Sequence, residues 1–218
     1  KMGALRGSLT FSRFFVVGDV PEDLAGATLK RIRAQAFQPL DPDEDLIQRH
    51  GWAAVDDPFD TELGHEKIFY NEYVTLALRV DRWAIPPALL KAHLREAEQK
   101  VLEKKGIEKL GRKAKLDLKD MVTKKLRRQL VPVTKSVDLV WNLNTNVALF
   151  FSHAQKTHDL VQELFEKTFR LQLLVESPGT LADHQGLSAE ASGTFADLEP
   201  TSLASDGAVA ALEKELQS

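Results

Sequence analysis

The sequence predicts an α+β fold with antiparallel sheets, packed helices and a projecting basic helical hairpin. Three observations carry this. Apolar residues alternate along Val133–Leu143, and partly along Val74–Val80, where Ala77 is small, as strands with one buried face require. Elsewhere they recur every three or four residues, as on one helix face. Strands and helices come in mixed succession, which gives a layered domain. The chain has 218 residues, 43% hydrophobic and 28% charged, enough for a real core. It has no cysteine, which excludes disulfides and thiolate chemistry and fits a reducing compartment. No apolar run reaches the length of a membrane span, and no signal-peptide core precedes Asp19. Lys1 reads as an addition before a native start at Met2.

Leu9 to Val17, rich in Phe and Val, reads as a buried strand. Asp19 and Glu22 have capping-box spacing, with Pro21 in the first turn of a helix running to about Ala36. That helix is expected to bury Ala25, Leu29, Ile32 and Ala36 and to expose Lys30, Arg31 and Arg33. Asp43 to Arg49 is expected as a short helix stopped by Gly51, and Trp52 to Val55 as a short strand. Asp56 to Lys67 is acidic, but its spacing fits no metal motif, and a solvated loop is the better reading. Ile68 to Trp83 reads as one or two antiparallel strands bent near Asn71.

The stretch Pro86–Leu130 dominates the charge pattern. It holds fourteen Lys and Arg against six Asp and Glu, a balance of +8, while the whole chain is −3 and the remainder −11. Leu90, Leu94, Ala97 and Val101 form the stripe of a first helix, with Pro86 and Pro87 in its first turn. Leu118, Met121, Val122 and Leu126 form the stripe of a second, with Lys124, Arg127 and Arg128 on the opposite face. Gly106 and Gly111 flank a basic tip. A cationic projection on an acidic body points to a polyanionic partner. The candidate phosphate-contacting residues are Lys104, Lys105, Lys109, Arg112, Lys113, Lys124, Arg127 and Arg128. Lys30, Arg31 and Arg33 are a second candidate strip.

Beyond Leu130, Val133, Val137, Leu139, Trp141 and Leu143 fall on one face of a strand, and Asn142–Asn146 is an asparagine-rich turn. Val147–Phe151 returns, a helix follows from about Gln155 to Phe169 burying Leu160, Val161, Leu164 and Phe165, and Leu171–Val175 is a last strand. The body is thus expected over residues 2–177, with the hairpin at 86–130. Residues 178–218 are expected to be a flexible linker and a terminal amphipathic helix over Ser205–Leu216. No Gly-rich phosphate loop, nucleophile elbow or paired-His motif occurs, the six histidines are scattered, and nothing points to an enzyme, a cofactor or a metal.

In element order and short matches the chain resembles the RdgC family of recombination-associated proteins. The matching residues are Phe11–Val17, Ala36-Phe37-Gln38-Pro39, Gly51-Trp52, Ile85-Pro86, Leu118-Lys119-Asp120 with Val122 and Leu126, Trp141, Ala154 and the strand after Phe169. They span Leu9 to Pro178. The resemblance implies an RdgC-like fold and DNA binding without strong sequence preference. It also implies a homodimer that encircles duplex DNA, restraint of the RecA recombinase, and a cytoplasmic, nucleoid-associated location. A protein-interaction or regulatory module that reuses the same fold without strong DNA binding is the alternative.

Overall fold

A computed structural model describes residues 10–177 and residue 180. The chain divides into two compact units, Lys1–Val175 and Glu176–Ser218. In the second, the described residues form a hydroxyl turn in which Ser177 N–H donates to Thr180 Oγ1 at 2.7 Å. The expected linker and terminal helix otherwise lie outside the described residues.

The first unit is mixed α+β. Its strands are β1 (Ser12–Val17), β2 (Gln48–Ala53), β3 (Phe69–Tyr70), β4 (Tyr73–Arg82), β5 (Val133–Asn142), β6 (Val147–Phe150) and β7 (Gln172–Val175). Its helices are α1 (Leu24–Ala34), α2 (His65–Ile68), α3 (Pro87–Lys105), α4 (Arg112–Arg127) and α5 (Gln155–Phe169). One antiparallel sheet runs in the order β2-β4-β5-β6-β1-β7, with β3 paired to β4. Alternate residues of each strand point to the same face. One face carries Phe14, Trp52, Leu76, Leu78, Val137, Leu139, Trp141 and Phe150 into the core, where Leu24 and Ile32 of α1 and Val161, Leu164, Phe165 and Phe169 of α5 cover them.

Local chemistry sets the boundaries. The Asp19–Glu22 capping box does not form. Asp23 caps α1 instead, its Oδ1 accepting from Gly26 N–H at 2.9 Å, so Pro21 lies before the helix. The buried face of α1 is Leu24, Thr28 and Ile32, and Leu29 and Ala36 are only partly buried. Thr28 tolerates burial because its hydroxyl donates to Leu24 O at 2.6 Å. The short helix expected at Asp43–Arg49 is absent. The Asp41 carboxylate accepts from Asp43 N–H at 2.8 Å, an Asx turn that competes with helix, and β2 already starts at Gln48. The strand placed at Trp52–Val55 is therefore Gln48–Ala53.

Gly51 is required by close approach. A Cβ there would stand 2.6 Å from Phe37 Cα, because Phe37 N–H donates to Trp52 O at 2.8 Å along that edge. Asn71 and Asn146 turn their strands with φ of 51° and 52°, in the left-handed region that Asn tolerates.

The indole of Trp52 is fully buried and donates to Thr168 Oγ1 at 2.8 Å, while that hydroxyl donates to Leu164 O. Thr168→Val keeps the shape but orphans a buried N–H. We expect a loss of about 1–3 kcal/mol in urea unfolding. Unchanged stability would show that this bond contributes nothing net.

Candidate nucleic-acid interface

The helices α3 and α4 are inserted between two strands that pair along their whole length, from Tyr73↔Asn142 to Arg82↔Val133. Pro87 opens α3, where a missing N–H costs nothing. Gly106 ends it with φ +61°, a conformation L-residues avoid. No residue of α3 is fully buried, and its main packing partner is α4. Leu118, Val122 and Leu126 of α4 are buried apart from the main core, so the hairpin has its own small apolar seam. Met121, expected in that seam, is instead 58% exposed. At 1.5 Å per residue, α3 carries the tip about 28 Å from its root.

The eight candidate cations fall into two groups. Lys104, Lys105, Lys109, Arg112 and Lys113 surround the tip and are all exposed. Among the described residues no ion pair engages any of them, whereas Lys100 pairs with Glu96 and Lys115 with Glu98 lower down. Arg112 and Lys113 open α4 behind Gly111, which offers no side-chain cap, and no acid occupies that first turn. Cations there face the positive end of the helix dipole, at a cost of about 0.3–1 kcal/mol each. Free amides and two cations in one turn form a surface that an anion relieves.

The other three cations lie at the root and are engaged. Lys124 Nζ is 3.1 Å from Asp120 and 3.4 Å from Asp45, and hydrogen bonding to Asp120 raises its pKa above the ordinary lysine value. Arg128 Nη2 meets Asp43 Oδ1 at 2.6 Å. Arg127 does not lie on a solvated face: it is 7% exposed and donates from Nη1 to Glu44 O at 2.7 Å. Nine residues from Leu118, it lies on the helix face away from the apolar seam, and it is buried there because its guanidinium reaches the Glu44 carbonyl of the neighbouring loop. The loop Asp41–Asp45 thus grips the base of α4, and Arg49 of β2 holds that loop through Glu44 Oε2 and Pro39 O. In the second candidate strip, Arg33 is occupied by Leu63 O at 2.9 Å.

Sequence reasoning did not single out Arg82, Lys135 and Lys156. They ring a cleft of about 820 Å³ near the point where the strands enter and leave the hairpin. The signal was the gap at Lys135 in the apolar series Val133, Val137, Leu139. In the acidic 56–67 loop, Asp57 and Asp60 bind backbone N–H groups of Phe59 and Glu62, and Asp60 pairs with Lys67 at 2.6 Å. Among the described residues no helix is long and apolar enough to cross a membrane. Searches of protein-family models and of curated proteins find no match to this chain.

Removing the Arg127 side chain is expected to separate root from tip. Arg127→Ala loses a buried charge-assisted bond and should cost about 1.5–3 kcal/mol in urea unfolding. Arg128→Ala, with a side chain 62% exposed, should stay within about 0.5 kcal/mol. Equal small losses would show that Arg127 does not tether the hairpin.

Proposed function

We propose that the protein is a non-specific DNA-binding protein of the RdgC type, which grips the phosphate backbone through the hairpin tip and modulates RecA-dependent recombination as a homodimer in the nucleoid. The observation that carries this reading is the tip itself. Five exposed cations lie within residues 104–113 against the single acid Glu108, without ion pairs among the described residues. Exposed cations without an internal partner are available to an external anion. Duplex DNA offers one charge per about 1.7 Å of axis, so a tip of this size meets several phosphates at once. Backbone contacts of this kind position a protein but read no sequence. Two hairpins in a dimer would raise affinity through effective concentration.

A second reading has its own observation. At the root, the same basic hairpin already accepts a peptide loop bearing Asp43 and Asp45. An acidic protein surface is therefore a chemically suitable partner for the tip, as an interaction module requires.

Random-sequence duplex should bind more weakly as salt rises. Five phosphate contacts imply a slope of roughly −4.5 in log affinity against log salt, or about 500-fold between 50 and 200 mM. Replacing the five tip cations by Gln should flatten that slope to near zero, while Arg128→Gln should leave it nearly unchanged. Fluorescence anisotropy at four salt concentrations measures both. Full DNA affinity in the folded tip variant overturns the site, and absence of duplex binding by the parent at 50 mM salt overturns the function.

A further inference from the structure

The sheet is longer than the helical layer that covers it. The last complete core row across β2, β4 and β5 is Trp52–Leu78–Val137, all buried. Two further rows follow on the same face, His50–Val80–Lys135 and then Gln48–Arg82–Val133. By the period of two, these positions are core-facing. Yet Arg82 and Lys135 occupy positions where the strands otherwise place Val and Leu. The first turn of α5 contributes Lys156 and Thr157 to the same cleft. That turn contains no acid, so the positive end of the helix adds to the local potential. Among the described residues no ion pair neutralises Arg82, Lys135 or Lys156; Lys135 Nζ has only the Thr157 hydroxyl, at 3.5 Å. The one acid of the cleft, Asp159, accepts from Gln155 Nε2 at 2.8 Å.

The walls are apolar: Val80, Trp83, Ile85, Val133 and Leu160. Trp83 is largely buried, and its side chain forms a flat wall at the strand exit. A volume of about 820 Å³ falls in the range of small-molecule sites, which are mostly apolar with a few placed polar groups. Three cations around such walls are complementary to a negative group attached to a flat apolar body. A bare phosphate would leave the walls wet, and a neutral apolar molecule would leave the cations unused.

We propose that this cleft is a binding site for a small aromatic anion, an organic phosphate or carboxylate. Its negative group is held by Lys135, Lys156 and Arg82, and its ring lies against Trp83 and Val133. The site is separate from the hairpin tip and does not depend on DNA binding.

The full ¹⁵N-labelled chain supplies the test, because its three tryptophans give separate indole N–H signals. Titration with 1-naphthyl phosphate or 1-naphthoate should shift the Trp83 signal saturably, leaving those of Trp52 and Trp141, both fully buried in the core, in place. The neutral 1-naphthalenemethanol and inorganic phosphate should each bind more weakly. Lys135→Gln with Lys156→Gln should weaken the anions by about two- to fivefold per cation and leave the neutral alcohol unchanged. Should that pair disturb folding, Lys156→Gln alone decides, since Lys156 is an exposed helix residue. No saturable Trp83 shift up to about 10 mM overturns the proposal. So does equal binding of alcohol and anion, or unchanged anion affinity in the folded variant.

Discussion

The molecule depends on the ladder between β4 and β5. These strands pair over ten positions, from Tyr73↔Asn142 to Arg82↔Val133. Every central core row runs through them. The ladder also fixes the hairpin, because residues 83–132 are one long connection between two strands that pair at its base. Closing a connection of that length has a modest, logarithmic entropic cost, and folding it into two packed helices removes most of its freedom. Both roots are then held about 5 Å apart by the last strand pair. A projection anchored at both ends keeps its tip charges at a defined distance from the body. It does so although α3 buries no residue completely.

Charge is arranged around that geometry. Residues 41–66 hold nine carboxylates against one Arg, a balance of −8, close to the mirror of the hairpin's +8. Asp43 and Asp45 from this stretch reach Arg128 and Lys124, and the Glu44 carbonyl reaches Arg127. Buried Arg79 anchors its other side. Its guanidinium is held by both oxygens of Asp81, at 2.9 and 2.7 Å, and lies 4.0 Å from the Phe37 ring centre and 4.8 Å from that of Phe59. A buried charge persists only when paired and hydrogen-bonded, and here two rings exclude water from the pair. The irregular segments on this side of the sheet are thereby fixed, and with them the acidic loop that grips the hairpin.

Period and turn chemistry were legible in the sequence. The alternation at Val133–Trp141, the αL positions at Asn71 and Asn146, and the bounds of α5 all follow from residue type at short range. What was not legible depends on partners far along the chain. The choice of Asp23 over Asp19 as cap is a competition between two plausible residues, decided where Leu24 enters the core. Arg127 looks like any surface cation until Glu44, 83 residues earlier, is placed beside it. Arg79 sits at a polar position of an alternating strand, and only the folding of Phe37 and Phe59 over it makes it buried. The exposure of the tip cations follows from the sequence, whereas the ion pairs of Lys124 with Asp45 and of Arg128 with Asp43 do not, because those partners lie far back along the chain.

Distance and screening explain why root and tip behave differently. At physiological salt a charge is felt over about 8 Å. Carboxylates of the 41–45 loop lie within 3.4 Å of their root partners, inside that range, and neutralise them. Along α4, Arg112 at the tip stands about 18 Å from Lys124, more than two such lengths away. Had the basic residues been spread over the body, the acidic stretch would have competed for each of them. Raising five of them on a two-helix stalk removes that competition without changing the net charge. The length of α3 therefore sets this separation. Shortened by two turns, the stalk would carry the same cations about 11 Å nearer to the carboxylates and lose part of the separation that leaves them free.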